Sequence, residues 1–134
     1  MADGCYAKVW DRNAEEKTMN YQGSCHCGKI SYQIEAEPDK AIECNCSHCS
    51  RKGYLLWFLP RDALTLATPE SDMATYTFNT HRIRHQFCPT CGCATFGFGK
   101  HPKTGADTVA VNVRCLQGVD IATLERVPVD GRSI

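Results

Sequence analysis

No stretch of the sequence is apolar enough to suggest a membrane span or a secretory signal. The first twenty residues, where a signal peptide would lie, contain the charged residues Asp3, Lys8, Asp11, Arg12, Glu15, Glu16 and Lys17. A signal peptide needs an apolar run of about 7–15 residues, and a spanning helix needs about 20. We therefore expect a cytoplasmic protein without membrane contact, in which thiols are reduced unless a metal holds them.

The sequence also lacks an excess of either charge. Its fifteen basic residues are balanced by fifteen acidic ones, and its longest basic cluster is Arg51 followed by Lys52. Binding along a phosphate backbone needs many clustered cations, so no nucleic-acid partner is expected. Repeats of fixed period and low-complexity stretches are missing too. The 134 residues therefore fit a single domain, and the sequence leaves its oligomeric state open.

Cysteine, by contrast, is abundant. The chain has ten cysteines, about three times the usual share. Eight of them fall into three clusters, which read CHCG from Cys25, CNCSHC from Cys44 and CPTCGC from Cys88. Clusters of this kind in a reducing compartment indicate metal binding rather than disulfides. The isolated Cys5 and Cys115 are interpreted as ordinary packed thiols.

The first and third clusters together predict a closed structural zinc site. Each contains a cysteine pair followed by a glycine, which permits the tight backbone turn that a zinc knuckle requires. Tetrahedral zinc takes four sulfurs at about 2.3 Å, and four thiolates leave no position for a substrate. The predicted ligands are Cys25, Cys27, Cys88 and Cys91.

The second cluster predicts a different kind of site. Cys44, Cys46 and Cys49 can surround one ion from a single short loop, which leaves the fourth position open, as in catalytic zinc sites. The chain would then carry two zinc ions. An iron–sulfur cluster completed by Cys93 is the alternative, although Cys93 reads better as a packed thiol. His48 lies inside this loop, where we expect it to face solvent. Proton transfer is the second possibility, and a hydrogen bond to a metal ligand is the third.

Residues around the second cluster suggest how a substrate could be held. Arg51 and Lys52 follow it directly and would usually form a solvated surface, but they could also attract an anionic substrate to a negatively charged site. Trp57 and Phe58 are expected to pack in the core, with a pocket wall as the alternative. We expect His26, which lies between two predicted ligands, to face outward. The spacing of His81, His85 and His101 indicates no site, and we expect His85 to have a structural role.

The rest of the sequence predicts a mainly β fold, with α+β as the alternative. Aromatic and β-branched residues alternate with polar ones in short segments, which is typical of half-buried strands. The predicted strands are 29–35, 54–59, 75–78, 82–87, 94–98 and 108–113, the second of them buried on both faces. Short helical turns are predicted at 60–64 and 117–124, the latter with Asp120 as its N-cap.

The order of these motifs resembles a known family. The segments GSCHCGKISY, CNCSHCSRKG, FCPTCG, VAVNVRCLQGVD and VDG are similar to those of the glutathione-dependent formaldehyde-activating enzymes, which share a domain with centromere protein V. The resemblance runs from about Tyr21 to Gly131. It implies a β-rich, zinc-stabilised tent of the Mss4-like type over residues 20–134, preceded by a tail at residues 1–19.

The resemblance also implies an activity. The family's named reaction joins formaldehyde and glutathione into S-hydroxymethylglutathione, which would make this chain a carbon–sulfur lyase acting on a small-molecule substrate, glutathione or another thiol. It implies a structural zinc at Cys25, Cys27, Cys88 and Cys91, and a second zinc at the three cysteines of the middle cluster. The competing interpretation is a non-catalytic zinc-binding module for protein interaction, as in the Mss4-like relatives.

Overall fold

The computed structural model describes residues 19–36 and 40–131, and every structural statement here refers to them. The predicted tail at residues 1–19 lies outside the described residues, apart from Met19, which begins the first strand. The division of the chain into a tail and a domain therefore stays a prediction.

The described residues form ten strands in two sheets. The smaller sheet has the order β1-β2-β5, and the larger has the order β10-β3-β4-β9-β8-β7-β6. All pairings are antiparallel except that of β10 with β3. The bounds are Met19–Ser24 (β1), Ser31–Ala36 (β2), Lys40–Cys44 (β3), Leu56–Pro60 (β4), Leu64–Leu66 (β5), Ala74–Tyr76 (β6), Arg84–Phe87 (β7), Ala94–Lys100 (β8), Asp107–Asn112 (β9) and Glu125–Val129 (β10).

This architecture confirms the mainly β prediction, and each of the six predicted strands overlaps an observed one. Four strands were missed, namely β1, β3, β5 and β10. They are short or weakly patterned, and β10 contains Pro128, a residue that argues against a strand unless the strand lies at an edge. Strand β10 is indeed an edge strand of the larger sheet.

The two faces of the larger sheet border two separate cores. On one face, Trp57 and Leu59 of β4 pack in a core with residues of the smaller sheet such as Tyr32 and Ile34. Because side chains alternate along a strand, Phe58 of β4 points to the other face and joins a second core. Strand β4 is therefore buried on both sides, as its apolar run predicted, and the expected core packing of Trp57 and Phe58 is confirmed.

The second core contains the middle cysteine cluster. Strand β3 ends at Cys44, and a helix, α1, runs over Ser47–Lys52. Cys46 is the N-cap of α1, and Gly53 ends it in the left-handed conformation with φ of 68°. The cluster was expected to be a loop, and this expectation is wrong in its second half, because the Cys46 sulfur caps the first turn and so favours a helix.

Both predicted helical turns are confirmed as 3₁₀ segments, at Arg61–Ala63 and Ile121–Thr123. Asp120 caps the second of them by accepting a hydrogen bond from the Ala122 N–H at 3.1 Å. Two further 3₁₀ turns lie at Glu70–Asp72 and Val113–Cys115. Within the described residues, no helix has the length and apolar character needed to cross a membrane.

Candidate metal centres

The four cysteines of the predicted structural site converge. The sulfurs of Cys25, Cys27, Cys88 and Cys91 all lie within 4.8 Å of one another. Cys27 Sγ is 3.7 Å from Cys25 Sγ and 3.6 Å from Cys88 Sγ. Two sulfurs on a tetrahedral zinc are about 3.8 Å apart, given a bond of about 2.3 Å. The donor set and its spacing therefore fit a zinc ion.

Two backbone turns position these cysteines. The Ile30 N–H donates to Cys25 Sγ at 3.3 Å, and the Cys91 N–H donates to Cys88 Sγ at 3.4 Å. Each turn ends with a glycine at positive φ, which is 83° at Gly28 and 81° at Gly92. These values confirm the expected role of the glycines, since a left-handed residue with a Cβ would be strained.

The middle cluster also forms a compact group. The sulfurs of Cys44, Cys46 and Cys49 lie within 4.8 Å of one another, and all three residues are buried. The Cys49 N–H donates to Cys46 Sγ at 3.3 Å, and the Cys46 N–H donates to Cys44 Sγ at 3.5 Å. Three converging sulfur donors fit one soft or borderline metal ion such as zinc. We call this group the cysteine trio.

Two thiols of the trio, those of Cys46 and Cys49, differ in pKa. A hydrogen bond from the Cys49 thiol lowers the pKa of Cys46 to about 6, even though desolvation acts in the opposite direction. The same hydrogen bond, together with burial, raises the pKa of Cys49. Of these two thiols, Cys46 therefore loses its proton more readily, and a bound cation would favour the thiolate form of Cys49.

Cys44 is in a different state from the other two. It is disulfide-bonded, whereas Cys46 and Cys49 are free. The expectation that every thiol is free or metal-bound is thus wrong for Cys44. A disulfide sulfur is not a thiolate, and metal binding requires the thiolate. The trio can therefore act as a three-sulfur ligand set only after this bond has been reduced.

A cleft of about 510 Å³ lies directly beside the trio. Cys44 and Cys49 line it, together with Tyr54 and Arg114. Its volume is within the range of small-molecule sites, about 300–1,000 Å³. Within this chain, the segment that follows β3 is hydrogen-bonded to β10, because the Asn45 backbone N–H donates to the Val129 carbonyl at 3.1 Å.

Arg114 is a cleft residue that was not predicted from the sequence. Its Nε donates to the Gly53 carbonyl at 3.0 Å, which places the guanidinium at the end of α1 beside the cleft. The motif VNVRCLQGVD contains Arg114, but sequence alone does not show that it faces Gly53, 61 positions away. Arg51 and Lys52, which were considered for this role, are exposed and do not line the cleft.

His48 is half-buried rather than exposed, so the expectation that it mainly faces solvent is wrong. Its ring centroid lies 4.2 Å from that of His85, 5.0 Å from that of Phe78 and 5.5 Å from that of Tyr54. Both of its ring nitrogens are buried, with no hydrogen-bond partner among the described residues. Burial lowers the pKa of His48 to about 4. The ring is neutral at pH 7, and a role in proton transfer stays a prediction.

The histidines without a spacing signal have structural surroundings. His26 is exposed, as expected. His85 is buried, but its Nε2 has no hydrogen-bond partner among the described residues, so the expectation of a structurally satisfied histidine is not confirmed. His81 is exposed at a positive φ of 58°, with its Nδ1 2.7 Å from the Thr77 hydroxyl. His101 is buried, and its Nδ1 accepts two backbone hydrogen bonds.

The remaining cysteines do not belong to the trio. Cys93 packs against the core that contains the four-cysteine site, and the His26 backbone N–H and the Cys91 side chain are its hydrogen-bond neighbours. The alternative of an iron–sulfur cluster formed by the trio and Cys93 is therefore wrong, because Cys93 lies at the other core. Cys115 donates to the Ala94 carbonyl at 3.7 Å, and burial raises its pKa to about 11. Both are packed thiols, as expected, and Cys5 lies outside the described residues.

Two comparisons with known proteins agree with this picture. Residues 20–125 match the family described as glutathione-dependent formaldehyde-activating enzyme. The chain is also similar to a Rhodobacter sphaeroides protein of known crystal structure, with 30% sequence identity and a TM-score of 0.68. That match covers 82% of this chain and 98% of the Rhodobacter chain.

Proposed function

Because this chain belongs to the glutathione-dependent formaldehyde-activating enzyme family, we propose that it is a zinc-dependent carbon–sulfur lyase. It would join a thiol such as glutathione to formaldehyde or a similar small aldehyde. The observation that supports this best is the cleft of about 510 Å³ beside the buried cysteine trio. A three-sulfur ligand set next to a cleft of this size suits a metal that must also contact a substrate.

The proposal gives the two cysteine groups separate roles. Cys25, Cys27, Cys88 and Cys91 would hold a structural zinc, and the trio would hold a second. A zinc ion at the trio would supply Lewis acidity, which favours the thiolate form of a bound thiol and polarises a carbonyl oxygen. A reducing compartment such as the cytoplasm would keep Cys44 available as a ligand.

The reaction needs no nucleophile from the protein. The sulfur of the substrate thiol forms a bond to the aldehyde carbon, and the carbonyl π electrons move onto the oxygen. That oxygen then takes up one proton, which balances the proton lost by the thiol. Bringing the two substrates together in one cleft is by itself a large part of such catalysis.

Two cleft residues suit the binding of these substrates. Arg114 presents a guanidinium that can pair with a carboxylate of an anionic thiol, and its bond to the Gly53 carbonyl holds it in position. Burial raises the pKa of Tyr54, so its hydroxyl stays protonated and can donate to an oxygen in the cleft. His48 does not line the cleft, and we propose that water supplies the proton.

The alternative is a non-catalytic module for protein interaction. Such a module would present an apolar patch beside a closed second site. Among the described residues, the one large apolar side chain that is exposed is Tyr76, at 49%. A single ring is too small for a docking patch, so the enzyme interpretation is favoured.

The test compares rates of thiol–aldehyde exchange in reduced, zinc-loaded protein. The interconversion of formaldehyde, glutathione and their adduct is followed at equilibrium by NMR exchange spectroscopy, with the uncatalysed rate subtracted. N-acetylcysteine and 2-mercaptoethanol replace glutathione in parallel samples. We expect catalysis by the unmodified chain, its loss in Cys46→Ser together with one zinc, and its retention in the control Cys115→Ser.

Two results would count against the proposal. Two bound zinc ions without any rate above the uncatalysed one, for every thiol, would favour the module. An unchanged rate in Cys46→Ser would mean that the trio is not required for catalysis. A His48→Phe variant tests the proton route, because we expect it to keep its rate within about threefold, whereas loss of a general acid costs about 10²-fold or more.

A further inference from the structure

A second cleft, of about 550 Å³, lies where β7, β8 and β9 meet. Arg82, Arg84, Lys100 and Asp107 line it, above the ring of Phe98. It shares no lining residue with the cleft beside the trio. The feature is therefore separate from the site of the proposed lyase reaction.

Arg84 of the cleft shares the ring of Phe98 with Arg61, which lies outside the cleft lining. The guanidinium carbon of Arg84 lies 5.3 Å from the ring centroid of Phe98, and that of Arg61 lies 4.8 Å from the same centroid. Arg61 also donates from Nη1 to the Leu64 carbonyl at 2.9 Å. Stacking on an aromatic face orients a guanidinium and leaves its edge donors available.

Positive charge at the cleft is only partly balanced. Lys100 Nζ lies 2.6 Å from Asp107 Oδ1. This hydrogen bond lowers the pKa of Asp107, and the positive charges of Lys100, Arg61 and Arg84 lower it further. No other carboxylate of the described residues lines the cleft. Within the described part of the chain, Arg82 and Arg84 make no salt bridge. A chain with no net charge thus lines this cleft with three cations and one carboxylate.

The wall of this cleft is preformed. His101 is buried, and its Nδ1 accepts hydrogen bonds from the backbone N–H groups of Lys103 and Thr104, at 3.1 and 3.2 Å. Its backbone N–H donates to the Ala106 carbonyl at 2.8 Å, which closes the turn between β8 and β9. A ligand would therefore meet a wall that is already ordered, which reduces the entropy lost on binding.

We propose that this cleft binds a small organic anion that carries a phosphate group or a pair of carboxylates. Arginine side chains present paired N–H donors that match both groups, and Lys100 adds a point charge. The volume suits a small molecule. Three cations are too few to follow a nucleic-acid backbone, so a small ligand fits the charge pattern better than a polymer.

The test measures binding of simple probes to the zinc-loaded full chain by isothermal titration calorimetry at low ionic strength. Glucose 6-phosphate and succinate represent the two anion classes, and glucose is the neutral control. We expect saturable binding of at least one anion, weakening with added salt, and none of glucose. Arg84→Gln should weaken binding about tenfold or more, because a hydrogen bond between charged groups is lost.

Matched variants show whether the anion binds in this cleft or elsewhere on the surface. Arg126→Gln removes one exposed cation outside the cleft and should bind like the unmodified chain, whereas Arg82→Gln and Lys100→Gln should bind more weakly. Because Arg84 stacks on Phe98, thermal melting of each variant checks that the fold is intact.

Cys46→Ser should bind the anion normally, so this result is independent of the lyase proposal. The absence of saturable binding by either anion, or an equal loss in Arg126→Gln, would overturn the inference.

Discussion

The Sγ atoms of Cys27 and Cys88 lie 3.6 Å apart, although 61 positions separate the two residues in the sequence. Their contact joins the turn after β1 to the turn after β7. A cross-link over a loop of that length restricts the unfolded chain by about 4 kcal/mol. A zinc ion bound by these turns would therefore stabilise the whole fold rather than one segment.

Replacing Cys88 with serine is expected to destabilise the whole protein. The variant should lose one zinc and at least about 4 kcal/mol of unfolding free energy, because the turns after β1 and β7 are no longer cross-linked. Metal analysis by mass spectrometry and denaturant unfolding measure the two effects. Cys93→Ser, which changes a packed thiol close to the same turn, is the matched control and should keep both zinc ions. A Cys88→Ser protein with two zinc ions and ordinary stability would contradict the structural assignment.

The zinc content should depend on the redox state of Cys44. Protein prepared without reductant is expected to bind one zinc, at the four-cysteine site, because Cys44 is held in a disulfide. Treatment with a phosphine reductant, followed by zinc and desalting, should raise the content to two. The measurement is zinc per chain, with free thiols counted in parallel.

Cys44→Ser provides the control for this redox effect. Its zinc content should stay at one in both conditions, since the trio then lacks a sulfur ligand. If the untreated protein already contains two zinc ions, or if Cys44→Ser gains a second one on reduction, Cys44 is not a necessary ligand.

Arg114 is expected to select anionic thiols. Arg114→Gln should raise the KM for glutathione about tenfold and leave kcat nearly unchanged, because a charged hydrogen bond to the substrate is lost while the cysteine trio is intact. The KM for 2-mercaptoethanol, which has no carboxylate, should not change. Arg114→Lys should show an intermediate KM, since it keeps the charge but not the paired donors. An equal rise in KM for both thiols would indicate a structural role through Gly53 instead.

Much of the cysteine arrangement could be predicted from the sequence, because ligands two or three residues apart meet through local turns. The burial of β4 on both faces could also be predicted, since its apolar residues do not alternate with polar ones. Arg114 and the pair of arginines on Phe98 were not, because their contacts join distant segments. Strand β10 was missed because Pro128 argues against a strand, and its edge position depends on pairing with β3, which is far away in sequence.

The buried His85 is expected to make the protein less stable in mild acid. Burial, with His48 and Lys52 nearby, lowers the pKa of His85 from 6.5 to about 3. Between these values the unfolded chain binds a proton that the folded chain does not, so the unfolding free energy falls as the pH drops below 6.5. Between pH 7 and pH 5 this one group accounts for a loss of about 2 kcal/mol. Urea unfolding at several pH values measures the slope.

His85→Phe should reduce that slope, because a phenyl ring can occupy the stack with Phe78 and His48 but cannot bind a proton. The matched control is His81→Asn, which removes an exposed imidazole at a positive φ that asparagine tolerates. Its pH slope should equal that of the unmodified chain. Because acid also protonates zinc thiolates, zinc per chain is measured at each pH, and only points with full zinc are compared. Equal slopes in His85→Phe and His81→Asn would mean that buried His85 does not control the acid sensitivity.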